Sequence, residues 1–209
     1  MPKSLISTLA VALLALLGFA YVALSGSPEI GDFDYARFTA EGSDTAPVRI
    51  AVIEDLRCPS CRRTHLDVLS KILPKYTPSG QAVVYYVPYP VTRSDSLALS
   101  VKALSYAGFH KRPFSEISLV LYKADSTRLS LDEAEALLVR EFGPIPADVR
   151  AALDEASQQQ LHEQNRYLSS IGIVSTPTVI VNGAVLQGPK ADVLDEHIKK
   201  ALDRSRHGG

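Results

Sequence analysis

Val48-Arg49-Ile50-Ala51-Val52-Ile53-Glu54-Asp55-Leu56-Arg57-Cys58-Pro59-Ser60-Cys61 is the stretch that decides the fold. Its first six residues are apolar on both faces apart from Arg49, which predicts a strand inside a covered sheet. Beyond the motif, Cys61, His65, Val68 and Ile72 recur at helical spacing, with Leu69 and Leu73 beside them. Pro74 and the Pro78-Ser79-Gly80 turn end that helix. Cys58 and Cys61, the only cysteines of the chain, therefore sit at a strand-to-helix junction. A disulfide closing so short a loop removes little chain entropy and makes a poor staple. It suits a bond that is made and broken, one thiol attacking and its neighbour resolving. The motif points to a thiol–disulfide oxidoreductase.

The two thiols are not equivalent. A cysteine reacts as its thiolate, and free amides and the dipole at a helix N-terminus lower its pKa. Cys58 is placed where those amides converge, and Pro59 suits the first helical position because it lacks an amide hydrogen anyway. Cys61 lies one turn further in, on the apolar stripe. Cys58 is thus expected to attack and Cys61 to resolve, with Pro59, Ser60, Arg57 and Glu54 in support. Half of a zinc site is the alternative, but it needs two more ligands, and the chain offers no second cysteine pair and no paired histidines. No metal or other cofactor is expected. Glu54 and Asp55 read either as surface charges at the strand end or as proton shuttles. His65 is seven residues from Cys58, an axial rise of about 10 Å, so it reads as a packed or rim histidine. Tyr85, Tyr86 and Tyr89 read as strand core, or as an apolar rim for substrate.

Outward from the motif, residues 82–87 form a second strand, and strand, helix, strand implies a right-handed parallel crossover. Four helical segments follow between residues 96 and 169, separated by breakers such as Gly143-Pro144-Ile145-Pro146. Ser130-Leu131-Asp132-Glu133 reads as an N-cap with acids in the first turn. Ser175-Thr176-Pro177-Thr178 precedes a third strand, Asn182-Gly183 is a two-residue hairpin turn, and Leu194, Ile198 and Ala201 mark the face of a final helix.

The 209 residues carry 22 basic and 23 acidic side chains with no block of like charge, so nothing points to nucleic acid. Lys3 precedes an apolar run over residues 5–24, and a helix of about 20 residues rises roughly 30 Å, enough to span a bilayer. Residues 1–25 are accordingly expected to be a membrane anchor, with 26–46 as a tether and the catalytic domain outside the cytoplasm. Ala23-Leu24-Ser25 leaves open the alternative of a cleaved signal segment and a soluble periplasmic protein. In either case the remainder is exported, to compartments that permit disulfides.

Taken together, the Cys58-Pro59-Ser60-Cys61 helix, the helical insertion and the Thr176-Pro177 strand with its hairpin and terminal helix resemble the thioredoxin fold of the DsbA-like family. The resemblance implies an α/β protein: a central mixed sheet flanked by helices, built from residues 47–95 and 170–206, with 96–169 as an inserted helical subdomain. It implies that Thr176-Pro177 is a cis-proline loop beside the cysteines, holding the substrate chain. It also implies cysteine-containing exported proteins as substrates and a membrane or soluble redox partner that recycles the dithiol. Three residues depart from the family prototype: Ser60 stands where it has His, Val52 where it has a buried acid, and Thr176 where it has Val. Oxidase, reductase or isomerase, and redox-inert binding module remain the readings to separate.

Overall fold

The computed structural model describes residues 29–31 and 33–207; the apolar run at 5–24 lies outside them. Among the described residues no helix is long and apolar enough to cross a membrane.

The expected strand forms as β2 (Val48–Glu54), buried throughout except at Arg49. It runs parallel to β3 (Ala82–Pro88), from Val48 opposite Ala82 to Glu54 opposite Pro88. Its other edge pairs antiparallel with β4 (Thr178–Val181), which turns into β5 (Ala184–Gln187). Positive φ at both Asn182 and Gly183 gives the hairpin the backbone that this turn type demands. A short strand β1 (Ala40–Glu41) completes the order β1-β3-β2-β4-β5.

Because β2 is central, its alternating side chains feed two cores. Val48, Ile50 and Val52 pack with helix α1 (residues 59–75) and helix α6 (Ala191–His207). Ala51 and Ile53 point to the opposite face, against Phe33, Tyr35, Phe38 and Leu168. Each fully buried Val or Ile contributes about 1.5–3 kcal/mol relative to exposure, which is why both faces must be covered.

Within the tether expected at 26–46, the described residues dock on this second layer. From Glu29 onward the chain is folded on the sheet: Ile30 N–H bonds Gly183 O at 2.8 Å, and a 3-10 turn at Tyr35–Arg37 and β1 follow. The few large apolar residues of the segment supply the cover that β2 and β3 require, so they are held by burial.

The insertion comprises α2 (Ser96–His110), α3 (Phe114–Lys123), α4 (Leu131–Phe142) and α5 (Ala147–Ser170). Ser130 and Glu133 form a reciprocal capping box at the start of α4. The insertion core joins Tyr106, Ile117, Leu121, Tyr122 and Leu138 to Leu56, Cys58 and Cys61, so the cysteine motif is wedged between the two parts of the molecule. Helix α1 is not uniform, however. It opens as α-helix at Pro59–Arg63, widens to a π turn over Thr64–Leu69, and closes through Ser70–Ile72 and a 3-10 turn at Leu73–Lys75. The wider turn puts Thr64, His65 and Leu69 on the inner side together.

Candidate active site

Cys58 is the N-cap of α1, with an extended backbone and Pro59 in the first turn. Its sulfur accepts the Cys61 N–H at 3.4 Å, lies 2.9 Å from Ser60 Oγ, and is 3.7 Å from Thr176 O. The Thr176–Pro177 peptide is cis, and β4 begins at the next residue. Cys61 is 1 % exposed and its sulfur accepts the Asp55 N–H at 3.4 Å. Both cysteines are free thiols.

These contacts separate the two sulfurs electrostatically. Hydrogen bonding from the Cys61 thiol, reinforced by Ser60, the Cys61 amide and Thr176, pulls Cys58 down to about 4 against the opposing effect of burial. Burial pushes Cys61 strongly up, and its bond to Cys58 adds to that rise. A helix terminus rich in donors thus holds Cys58 as a thiolate at neutral pH while Cys61 keeps its proton. Ser60, which stands where the family prototype has a histidine, supplies a hydroxyl within direct reach of the attacking sulfur.

Arg57 points away from the Cys58 sulfur, into the insertion. Its guanidinium is buried, donates to Ser126 O at 2.6 Å and to Leu129 O, and pairs with Asp95 at 2.8 Å. It fastens the cysteine loop to the insertion and makes no hydrogen bond to Cys58. Arg62 is likewise drawn to the insertion, donating to Tyr122 O at 2.7 Å.

Glu54 is 1 % exposed, which removes the surface reading, and its Oε2 lies 3.1 Å from His65 Nδ1. His65 is a packed histidine, with Tyr122 and Tyr86 rings at 5.0 and 5.7 Å. Burial alone would lower its pKa, but the charge and hydrogen bond of Glu54 with the charge of Glu41 raise it. Tyr85 and Tyr89 are core, and the Tyr89 hydroxyl donates to Ile173 O at 3.0 Å.

Asp55, read from the sequence as a surface charge or a proton shuttle, is instead a buried structural tie. Fully buried, its carboxylate accepts the Arg57 N–H at 2.8 Å and the Val91 and Thr92 N–H groups at 2.9 and 2.6 Å. Its carbonyl accepts the Cys58 N–H at 2.9 Å and the Tyr122 hydroxyl at 3.2 Å. One residue thus fixes the cysteine loop, the loop after β3 and helix α3. The only local signal is an Asx-type turn, Asp55 capping the amide two residues on.

The sequence matches the thioredoxin family over residues 38–204. A curated relative, "Probable disulfide bond formation protein D" of Bacillus anthracis, is 25 % identical over 207 residues, covering 93 % of each chain. Among solved structures, oxidised BdbD from Bacillus subtilis superposes with a TM-score of 0.69 at 22 % identity, covering 86 % of this chain and all of that one. A periplasmic thioredoxin-like protein from Salmonella enterica serovar Typhimurium gives 0.66 at 19 % identity, over 82 % of this chain and 93 % of that one. With the match spanning the sheet, the insertion and both cysteines, the chain belongs to the thioredoxin family.

Proposed function

We propose that this thiol:disulfide oxidoreductase works outside the cytoplasm, forming or exchanging disulfides in exported proteins, with Cys58 as the attacking and attacked sulfur. The observation that carries this reading is the asymmetry of the pair: Cys58 Sγ at the helix N-terminus takes the Cys61 N–H and lies beside the Ser60 hydroxyl, which lowers its pKa, while Cys61 is buried, which raises its own. In the oxidising direction a substrate thiolate attacks Cys58 Sγ of the Cys58–Cys61 disulfide. A mixed disulfide forms, the Cys58–Cys61 bond breaks, and Cys61 leaves and takes a proton. A second substrate thiolate then attacks the substrate sulfur, closing the substrate disulfide and releasing Cys58 as thiolate. Two electrons pass to the enzyme, and a redox partner must remove them before the next cycle. Stabilising the Cys58 thiolate favours the reduced enzyme, and a disulfide whose reduced form is stabilised is the stronger oxidant. That favours the oxidase over the reductase.

Thr176, whose carbonyl flanks Cys58, is assigned to pairing with an extended substrate segment next to Pro177. Glu54, paired with His65 one turn past Cys61, is assigned to support of the resolving thiol. The export assignment rests on the apolar run at 5–24 and on the periplasmic Salmonella relative. The curated relative's name supports disulfide formation as the outcome.

The test is trapping. In Cys61→Ser the lone Cys58 thiolate attacks a substrate disulfide and releases one substrate thiolate, and no Cys61 is present to displace the bound chain; mixed disulfides with exported proteins are expected to accumulate as reductant-sensitive adducts, while Cys58→Ser gives none. Absence of adducts in Cys61→Ser cells, with the variant folded, refutes the reading.

A further inference from the structure

Among the described residues, the two most exposed large apolar side chains are Val174, 75 % exposed, and Val91, 48 % exposed. Both sit on anchored backbone. Val174 lies between the buried Ile173, whose N–H bonds Leu168 O at 2.9 Å, and Ser175, whose carbonyl accepts the Thr178 hydroxyl at 2.8 Å. Val91 donates its N–H to the buried Asp55 carboxylate at 2.9 Å. The Tyr89 hydroxyl, bonded to Ile173 O at 3.0 Å, ties the two loops together. The frame therefore presents both valines to solvent instead of covering them.

Their position is set by the sheet. At the end where β2 runs out toward Cys58, Glu54 is opposite Pro88 of β3 and Ile53 is opposite Thr178 of β4. Val91 follows that end of β3, and Val174 precedes that start of β4. With neighbouring strands about 4.8 Å apart, the two loops stand roughly 10 Å apart, astride the path of β2 into Cys58. Thr176 O, two residues from Val174, is 3.7 Å from Cys58 Sγ. Asp55, which holds Val91, also accepts the Cys58 N–H at 2.9 Å. The nearest charged residue in sequence to either valine, Arg93, is turned to the insertion, donating to Thr127 O at 2.8 Å and pairing with Asp95 at 3.2 Å.

A mixed disulfide fixes what covers this surface. It brings the Cα of the substrate cysteine to about 5.5–6 Å from the Cys58 Cα. In an extended segment the residues two positions before and after that cysteine point the same way as it does, about 7 Å from it along the chain. Those two side chains therefore land on the flanks of Cys58, where Val174 and Val91 offer apolar surface. On the reading of Cys58 as the attacked sulfur, we propose that Val174 and Val91 are specificity-determining residues. They select extended segments that carry an apolar side chain two residues before and after the reacting cysteine. Side chains one position away point to solvent and go unselected.

The experiment measures how fast a peptide thiolate reduces the Cys58–Cys61 disulfide of the full chain, by acid quench and mass spectrometry. The peptide sulfur bonds to Cys58 Sγ, the Cys58–Cys61 bond breaks, and Cys61 leaves and takes a proton. Two peptides of identical composition are compared, acetyl-Leu-Gly-Cys-Gly-Leu-amide and acetyl-Gly-Leu-Cys-Leu-Gly-amide, with rates expressed per thiolate. The first is expected to react about tenfold faster, from partial burial of its two leucines. Val174→Ser combined with Val91→Ser should bring that ratio to about one, since both side chains are exposed and the Val91 N–H is kept. Mercaptoethanol, which carries no side chains, reports whether the disulfide reacts at all. Equal rates for the two peptides, or a ratio that persists in the double variant, overturn the proposal while the reaction with mercaptoethanol upholds Cys58 as the attacked sulfur. Failure of every thiol to reduce the disulfide overturns both.

Discussion

Ser60→Ala isolates the part of the Cys58 environment that is this chain's own. The hydroxyl lies 2.9 Å from the sulfur, and the alanine keeps the helix while removing that one contact. A hydrogen bond to a charged group is worth about 1.5–3 kcal/mol, and the half-buried position of Ser60 argues for the low end. At roughly 1.4 kcal/mol per pKa unit, Cys58 should rise by about one unit. The same free energy leaves the thiolate of the reduced enzyme, so the reduction potential falls by about 30 mV and the exchange equilibrium with glutathione moves about tenfold toward the enzyme disulfide. Two assays read the one quantity: thiolate ultraviolet absorbance against pH, and equilibration in glutathione buffers. The reasoning fails if the thiolate titration of Ser60→Ala overlays the unmodified protein. It also fails if the pKa rises and the potential does not fall with it.

The depressed Cys58 pKa has a pH consequence whose sign is fixed. Because the folded value, about 4, lies below the ordinary thiol value of about 8.5, its stabilisation of the reduced form is complete above the latter and vanishes as pH falls through 4. Denaturant unfolding of the reduced and alkylation-free oxidised forms across that range should show the reduced form losing its relative advantage steadily toward pH 4. A pH-independent difference would contradict the assignment. Asp55→Ala strands three amide donors from Arg57, Val91 and Thr92 in a buried site, and should lower stability by more than about 3 kcal/mol. Asp55→Asn keeps acceptor capacity and should lose less; equal loss in chemical denaturation would show that the carboxylate is not the tie.

Features set by local pattern were legible in the sequence. The apolar run of β2 and the Asn182-Gly183 hairpin follow from neighbours close in the chain, as does the N-cap at Ser130. The resemblance added what periodicity does not carry, the order of elements around the insertion and the loop at Thr176-Pro177. Residues 29–46 escaped because Ile30, Phe33, Tyr35 and Phe38 follow neither period, and a lone turn with a two-residue strand acquires its shape only by covering the sheet. The Glu54–His65 pair joins a strand end to a π turn, and nothing in the residues marks that widening beforehand. Asp55 and Arg57 looked like charges flanking the motif because their partners, Tyr122, Ser126 and Leu129, lie more than sixty positions away.

The Arg57 fastening carries an evolutionary corollary. The guanidinium grips the main-chain oxygens of Ser126 and Leu129, and a carbonyl is the same atom whatever side chain accompanies it. The turn between α3 and α4 can therefore drift in sequence with the fastening intact, provided its path is kept. Two positions are exceptions: Ser126, whose hydroxyl donates to Leu56 O at 2.6 Å, and Asp125, whose φ is positive and whose carboxylate pairs with Arg62. Variation should be tolerated at the other positions of that turn, while position 57 has little latitude, because lysine's single nitrogen lacks the fork that reaches two carbonyls and Asp95 together.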